Sequence, residues 1–258
     1  MFKSGLVSVS FRNLSTDEVI KAVKDSGLKA IEWGGDVHVP HGNIDKAREV
    51  KNATLSAGLE VAAYGSYYKA GESETAGLSF EDVLASAIEL GAPTVRVWAG
   101  NKDSRDADEV YRRKIADDLI RIGTIAGKKN ISISLEYHVH TLTDSNESAV
   151  KLVKEVNHEN VMNYWQPPVN TTITHEDCKN GLKTLLHKLT NIHVYSWIYE
   201  NEQYIRFPLE NGYQEWKEYF EIAKTTGKDH YAMLEFIKDD SLEQLKRDAE
   251  TLNKLINE

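Results

Sequence analysis

Short apolar runs separated by amphipathic segments repeat along the whole chain. The runs are LVSVS (Leu6–Ser10), AIEW (Ala30–Trp33), LEVAAY (Leu59–Tyr64), TVRVW (Thr94–Trp98), ISISLE (Ile131–Glu136), VMNYW (Val161–Trp165), IHVYSW (Ile192–Trp197) and YAMLEF (Tyr231–Phe236). Their length and their β-branched and aromatic content predict eight strands. The segments between them carry helical periodicity. In TDEVIKAVKDSG, Val19, Ile20 and Val23 share a face, Thr16 is placed to cap the first turn and Gly27 to stop the helix. Helices are also predicted over residues 44–57 and in FEDVLASAIELG, DEVYRRKIADDLIRIGTIAGKK, ESAVKLVKEV, HEDCKNGLKTLLHKL, YQEWKEYFEIAKTTG and SLEQLKRDAETLNKLI.

Eight strands alternating with eight helices over 258 residues predict an α/β fold, a single (β/α)8 barrel spanning residues 1–258. Parallel strands need helical crossovers, and closure removes both sheet edges. The competing fold is an open doubly wound sheet. Its dinucleotide-binding form is disfavoured because no glycine-rich loop follows the first strand.

Composition narrows the class. No stretch is apolar enough to span a bilayer, MFKSGLVSVSF lacks the features of a secretory signal, and Cys178 is the only cysteine. A cytoplasmic protein without disulfides or a thiolate-rich metal site is expected. A net charge of −9 argues against binding to nucleic acid. The expected partner is a small molecule, and a homo-oligomer is compatible with an exposed helical shell.

In a parallel barrel the C-terminal ends of all strands converge on one face. There this chain places Glu32, Arg96, Trp98, Glu136, Gln166, His193 and Glu235. Carboxylates near a barrel axis lose hydration and need a cation. Taken singly, each residue also reads as an ordinary strand-end or core group. Together, Glu136, Gln166, His193 and Glu235 form an oxygen and nitrogen set suited to Mn²⁺, Co²⁺, Zn²⁺ or Mg²⁺. Trp33, Trp98, Trp165 and Trp197 offer aromatic faces to a sugar or pack in the core. Glu32 is a candidate substrate contact, His38 and His138 are candidates for substrate hydroxyls, and His140 reads as solvated. Arg206 and Arg96 are candidates for a phosphate or carboxylate, and Arg96 is equally a partner for Glu32 or Glu136.

The fragments IEWGGDVHVPHG, VRVWAG, SLEYHVHTLTD, NIHVYSW, RFPLENG and MLEF, in this order and spacing, resemble the xylose isomerase-like TIM barrels that include sugar phosphate isomerases and epimerases. The resemblance covers essentially the whole chain. It implies a metal held by groups from the last four strands, which correspond here to Glu136, Gln166, His193 and Glu235, with both glutamates moving protons. The chain departs from the family pattern at Gln166, where Asp is common, and at Val169, where many epimerases have His. A neutral amide is no base, so the site loses one formal negative charge.

Such a site supports proton transfer next to a carbonyl through an enediolate, with Glu136 and Glu235 as base and acid. Attack on opposite faces of one carbon gives an epimer, and transfer between neighbouring carbons gives an isomer. A sugar or sugar phosphate isomerase or epimerase is the leading expectation. The alternatives are another reaction on the same barrel, such as dehydration or phosphodiester hydrolysis, or a sugar-binding protein with weakened catalysis.

Overall fold

A computed structural model describes residues 1–168, 173–200 and 203–258. Val169 lies outside the described residues. In chain order the strands are β1 (Phe2–Val7), β2 (Ala30–Gly34), β3 (Glu60–Lys69), β4 (Thr94–Trp98), β5 (Ser132–Glu136), β6 (Val161–Trp165), β7 (Leu189–Val194), β8 (Trp197–Glu200), β9 (Gln203–Arg206) and β10 (His230–Leu234). The helices are α1 (Thr16–Asp25), α2 (Ile44–Ser56), α3 (Phe80–Leu90), α4 (Glu109–Gly127), α5 (Asn146–Val156), α6 (His175–Leu185), α7 (Tyr213–Lys224) and α8 (Leu242–Asn257). Eight parallel strands close in the order β1-β10-β7-β6-β5-β4-β3-β2, and β8 and β9 form a separate antiparallel hairpin. The chain is a (β/α)8 barrel, as its alternating pattern predicts.

Several boundaries differ from the sequence expectation. The first strand begins at Phe2 and ends at Val7, and Ser8–Phe11 form a 3-10 turn. Ser8 leaves the ladder because its hydroxyl accepts a hydrogen bond from the Gly34 amide at 2.9 Å. The α1 cap is Ser15, one residue before Thr16, in a reciprocal capping box with Glu18. The seventh barrel strand ends at Val194, so Trp197 belongs to the hairpin. The last barrel strand stops at Leu234, just before Glu235 and the left-handed Phe236.

Two apolar layers flank the strands. Outward residues such as Ile31, Val95, Ile133, Trp165 and Ile192 pack on helical residues such as Val23, Leu119, Leu182 and Leu252. Inside the barrel, Val7, Ala30, Ala62, Ala63, Tyr164 and Met233 form a separate buried cluster. Small residues are needed opposite Tyr164 and Met233. A Cβ at Gly5 would lie 2.6 Å from the Ala30 carbonyl oxygen and 2.7 Å from Met233 Cε. The Tyr164 ring, centred 4.5 Å from the His193 imidazole, joins this apolar plug to the polar layer above it.

Candidate active site

The polar layer is built from strand ends. Glu32 on β2, Arg96 on β4, Glu136 on β5, His193 on β7, and Gln166 and Glu235 just beyond β6 and β10 are all buried. Arg96 Nε donates to Glu32 Oε1 at 2.6 Å, and its Nη1 donates to Glu136 Oε2. Trp98 Nε1 donates to the same Glu136 oxygen at 2.6 Å. Glu32 Oε2 faces His193 Nε2 at 3.2 Å. The Gln166 amide donates from Nε2 to the Tyr137 carbonyl, which turns its Oε1 toward His193.

His193 Nδ1 is thereby surrounded by oxygens: Gln166 Oε1 at 2.8 Å, Glu235 Oε2 at 3.3 Å and Glu136 Oε1 at 3.4 Å. A single N–H satisfies one of them. Among the described residues Glu235 Oε2 has no hydrogen-bond donor although it is buried, a costly state for a carboxylate unless a cation sits beside it. The ligand atoms of Glu136, His193 and Glu235 all lie within 4.8 Å of one another. The donor set therefore fits a divalent ion. Charge agrees: the carboxylates of Glu32, Glu136 and Glu235 balance Arg96 plus one dication when His193 is neutral.

Without an ion the protons redistribute around that deficit. Burial opposes ionisation of Glu32, but Arg96 and then His193 overcome it and bring its pKa to about 2. Burial likewise disfavours ionised Glu136, yet Arg96 holds it well below the usual carboxylate range. Glu235 goes the other way, raised by burial and by the charge of Glu136 beyond what His193 offsets. Burial disfavours the imidazolium of His193, but Glu235 and Glu32 raise its pKa to about 10.

A cavity of about 390 Å³ opens on this layer. Of the residues expected from sequence, Glu136, Gln166, Glu235, Arg96, Trp98, His138 and Arg206 line it. His138 stacks on Trp98 with ring centroids 4.3 Å apart. Two expected substrate contacts lie elsewhere. Glu32 is fully buried beneath the cavity, against Arg96 and His193. His38 bonds through its two ring nitrogens to Ser8 Oγ at 2.9 Å and the Leu14 carbonyl at 3.1 Å, so it braces the β1–α1 connection. Trp33 and Trp165 are core residues, whereas Trp98 and Trp197 line the cavity. His140 is exposed and bonds to Asp103 at 2.9 Å.

The structure adds lining residues that the sequence did not signal, among them Arg12, Tyr67, Tyr204 and Phe236. Tyr67 and Phe236 have φ of +56° and +53°, a strained backbone for aromatic residues that costs about 1–3 kcal/mol each and concentrates at functional sites. Tyr67 sits where β3 bulges: Gly65 pairs with Arg96, but Lys69 pairs with Trp98. The bulge lays the Tyr67 ring 5.0 Å from the Arg96 guanidinium carbon. No periodicity rule finds such a residue.

Comparison with known proteins agrees with this architecture. A 3-dehydroshikimate dehydratase of Bacillus anthracis is 22% identical over 275 residues, covering 97% of this chain and 96% of that one. The crystal structure of a probable 3-DHS dehydratase from Bacillus anthracis superposes with a TM-score of 0.80 at 21% identity, over 98% of this chain and 99% of that one. A xylose isomerase-like TIM barrel protein from Mycobacterium smegmatis, solved in complex with magnesium, gives 0.75 at 18% identity over 99% and 97% of the chains. A D-psicose 3-epimerase, solved in the presence of D-fructose, gives 0.73 at 16% over 98% and 97%. These structural likenesses are of fold. The family profile described as xylose isomerase-like TIM barrel matches residues 20–255, and the chain belongs to that family.

Proposed function

We propose that this chain is a divalent-metal-dependent isomerase or epimerase that moves a proton at the carbon next to the carbonyl of a small sugar or sugar phosphate. The observation that carries this reading is Glu235 Oε2, which is buried, accepts no hydrogen bond among the described residues and faces His193 Nδ1 beside the cavity. Glu136, Gln166, His193 and Glu235 would hold the ion. Once bound, a divalent ion polarises a carbonyl and stabilises the charge that develops on its oxygen.

The two glutamates divide the proton work. Glu136 Oε2 is occupied by Arg96 and Trp98, which stabilise the ionised group and leave Oε1 toward the site. Among the described residues Glu235 Oε2 has no such donor, which leaves it the freer of the two carboxylates to accept a proton. That suits it to take the first proton. Glu136, ionised at the outset, serves as its partner by taking a proton from a substrate hydroxyl before it returns one to the enediolate. Trp98 and His138 supply a stacked wall for the substrate carbons, and Arg206 a cation for a terminal phosphate.

A dehydratase is the second reading, favoured by the 22% identity to a 3-dehydroshikimate dehydratase across 97% of the chain. Its first step is the same proton abstraction. The electron pair then forms a carbon–carbon double bond and expels a β-hydroxyl, which leaves as water by taking the proton that the carboxylate has just abstracted.

Incubating Mn²⁺-loaded protein in D₂O with ketoses, their phosphate esters and 3-dehydroshikimate separates the two. Deuterium in a recovered sugar next to its carbonyl supports the isomerase or epimerase; growth of an aromatic acid absorbance supports the dehydratase. Glu235→Gln should slow the transfer by at least about 100-fold. Full exchange in that variant would falsify the assignment of the base.

A further inference from the structure

We propose that Glu32 is a positioning residue that decides which nitrogen of His193 meets a divalent ion, acting from behind the imidazole. This rests on the metal-site reading above. Glu32 is fully buried and does not line the cavity. Its two oxygens face two different donors, Arg96 Nε at 2.6 Å and His193 Nε2 at 3.2 Å. With the Nε2 proton engaged by Glu32, the nitrogen turned to the oxygens of Gln166, Glu235 and Glu136 is Nδ1. The same carboxylate reaches the second ligand, because the Arg96 that it holds also grips Glu136. One anchor on β2 thus orients ligands on β5 and β7.

The fold makes room for this anchor. A Cβ at Gly65 would lie 2.8 Å from both Arg96 Nη2 and Glu32 Oε1, so the ion pair occupies the space a side chain would fill. Charge gives the arrangement a purpose. Gln166 brings no charge to the ligand set, and Glu32 supplies a negative charge on the far side of the imidazole. A carboxylate in that position fixes the tautomer and strengthens the ring as a ligand.

Glutamine cannot replace it. The Arg96 and His193 nitrogens that face Glu32 are both donors, whereas an amide offers one acceptor oxygen and one NH₂. If the amide oxygen serves Arg96, its NH₂ meets His193 Nε2 and drives the proton to Nδ1, the wrong nitrogen. If it is flipped, its NH₂ meets the guanidinium. The substitution preserves shape while breaking one orientation or the other.

The test uses the full chain and two readouts independent of turnover. Isothermal titration with Mn²⁺ should show Glu32→Gln binding about 10–100-fold more weakly than wild type. In ¹⁵N-histidine-labelled wild type loaded with Zn²⁺, the His193 ring should carry its proton on Nε2 and the metal on Nδ1. Equal Mn²⁺ affinity in the variant, or metal on Nε2 in the wild type, overturns the assignment while leaving the metal site standing. A wild type that takes up no divalent ion overturns both. If the variant does not fold, the wild-type spectrum alone decides.

Discussion

A buried carboxylate is either held ionised by a partner or left to compete for a proton, and Glu136 and Glu235 take these two routes around one imidazole. Gln166 tunes the balance between them. Its amide oxygen lies 2.8 Å from His193 Nδ1 without adding charge. Replacing it with Asp adds a fourth carboxylate to a layer that holds Arg96 as its permanent cation. We expect Gln166→Asp to tighten Mn²⁺ binding by roughly tenfold and to lower stability in chelator, since like charges in a low dielectric repel until an ion arrives. Calorimetric titration and thermal melts with and without EDTA check both parts; unchanged affinity would place Gln166 outside the ligand shell. At this scale the sequence was informative where chemistry follows strand order, because Glu136, Gln166, His193 and Glu235 each stand at or beside a strand end. It was uninformative where a backbone irregularity aims the side chain. Tyr67 reaches the cavity through a bulge, and Glu32 points at His193 where its strand-end position suggested a substrate contact.

The hairpin β8–β9 is the element that sequence periodicity concealed. IHVYSW reads as one continuous strand, but the chain leaves the barrel at Tyr195, whose carbonyl accepts from Trp216 Nε1 at 2.8 Å in place of a ladder partner. The hairpin returns over the cavity through a stack of rings. Phe236 to Trp197 is 4.6 Å between centroids, and Trp197 to Tyr204 is 4.5 Å. Arg206 completes the attachment through Asp240 at 2.6 Å and the Ile237 carbonyl at 3.2 Å. The roof is therefore fastened to the residue that follows Glu235. Offset stacks contribute about 0.5–1.5 kcal/mol each beyond area burial, so removing the middle ring should loosen the hairpin and spare the barrel. In Trp197→Ala, amide hydrogen exchange in β8 and β9 should speed up by roughly tenfold. Barrel strands should exchange as in wild type. Unchanged exchange in the hairpin would mean that the arginine contacts alone hold it down.

The eight barrel strands were legible because each couples an apolar run to an amphipathic helix, and closure follows from their number. Among the described residues, no helix is long and apolar enough to cross a membrane. Closure also has a thermodynamic consequence for the site. The candidate ligands come from β5, β7 and the ends of β6 and β10, which are consecutive staves of the barrel. An ion bound among them contacts only the folded chain, because unfolding scatters ligands that lie about 100 positions apart in sequence, from Glu136 to Glu235. Its binding energy then adds to global stability, by about 2.7 kcal/mol when free metal is 100-fold above Kd. For a chain of this size that corresponds to a Tm rise of about 5–10 °C. Melts of wild type in EDTA and in excess Mn²⁺ should differ by this amount, and the difference should shrink in Glu235→Gln, which keeps the shape but loses a charged ligand. Identical melting curves with and without the ion would show that Glu136, His193 and Glu235 hold no divalent ion in the folded chain.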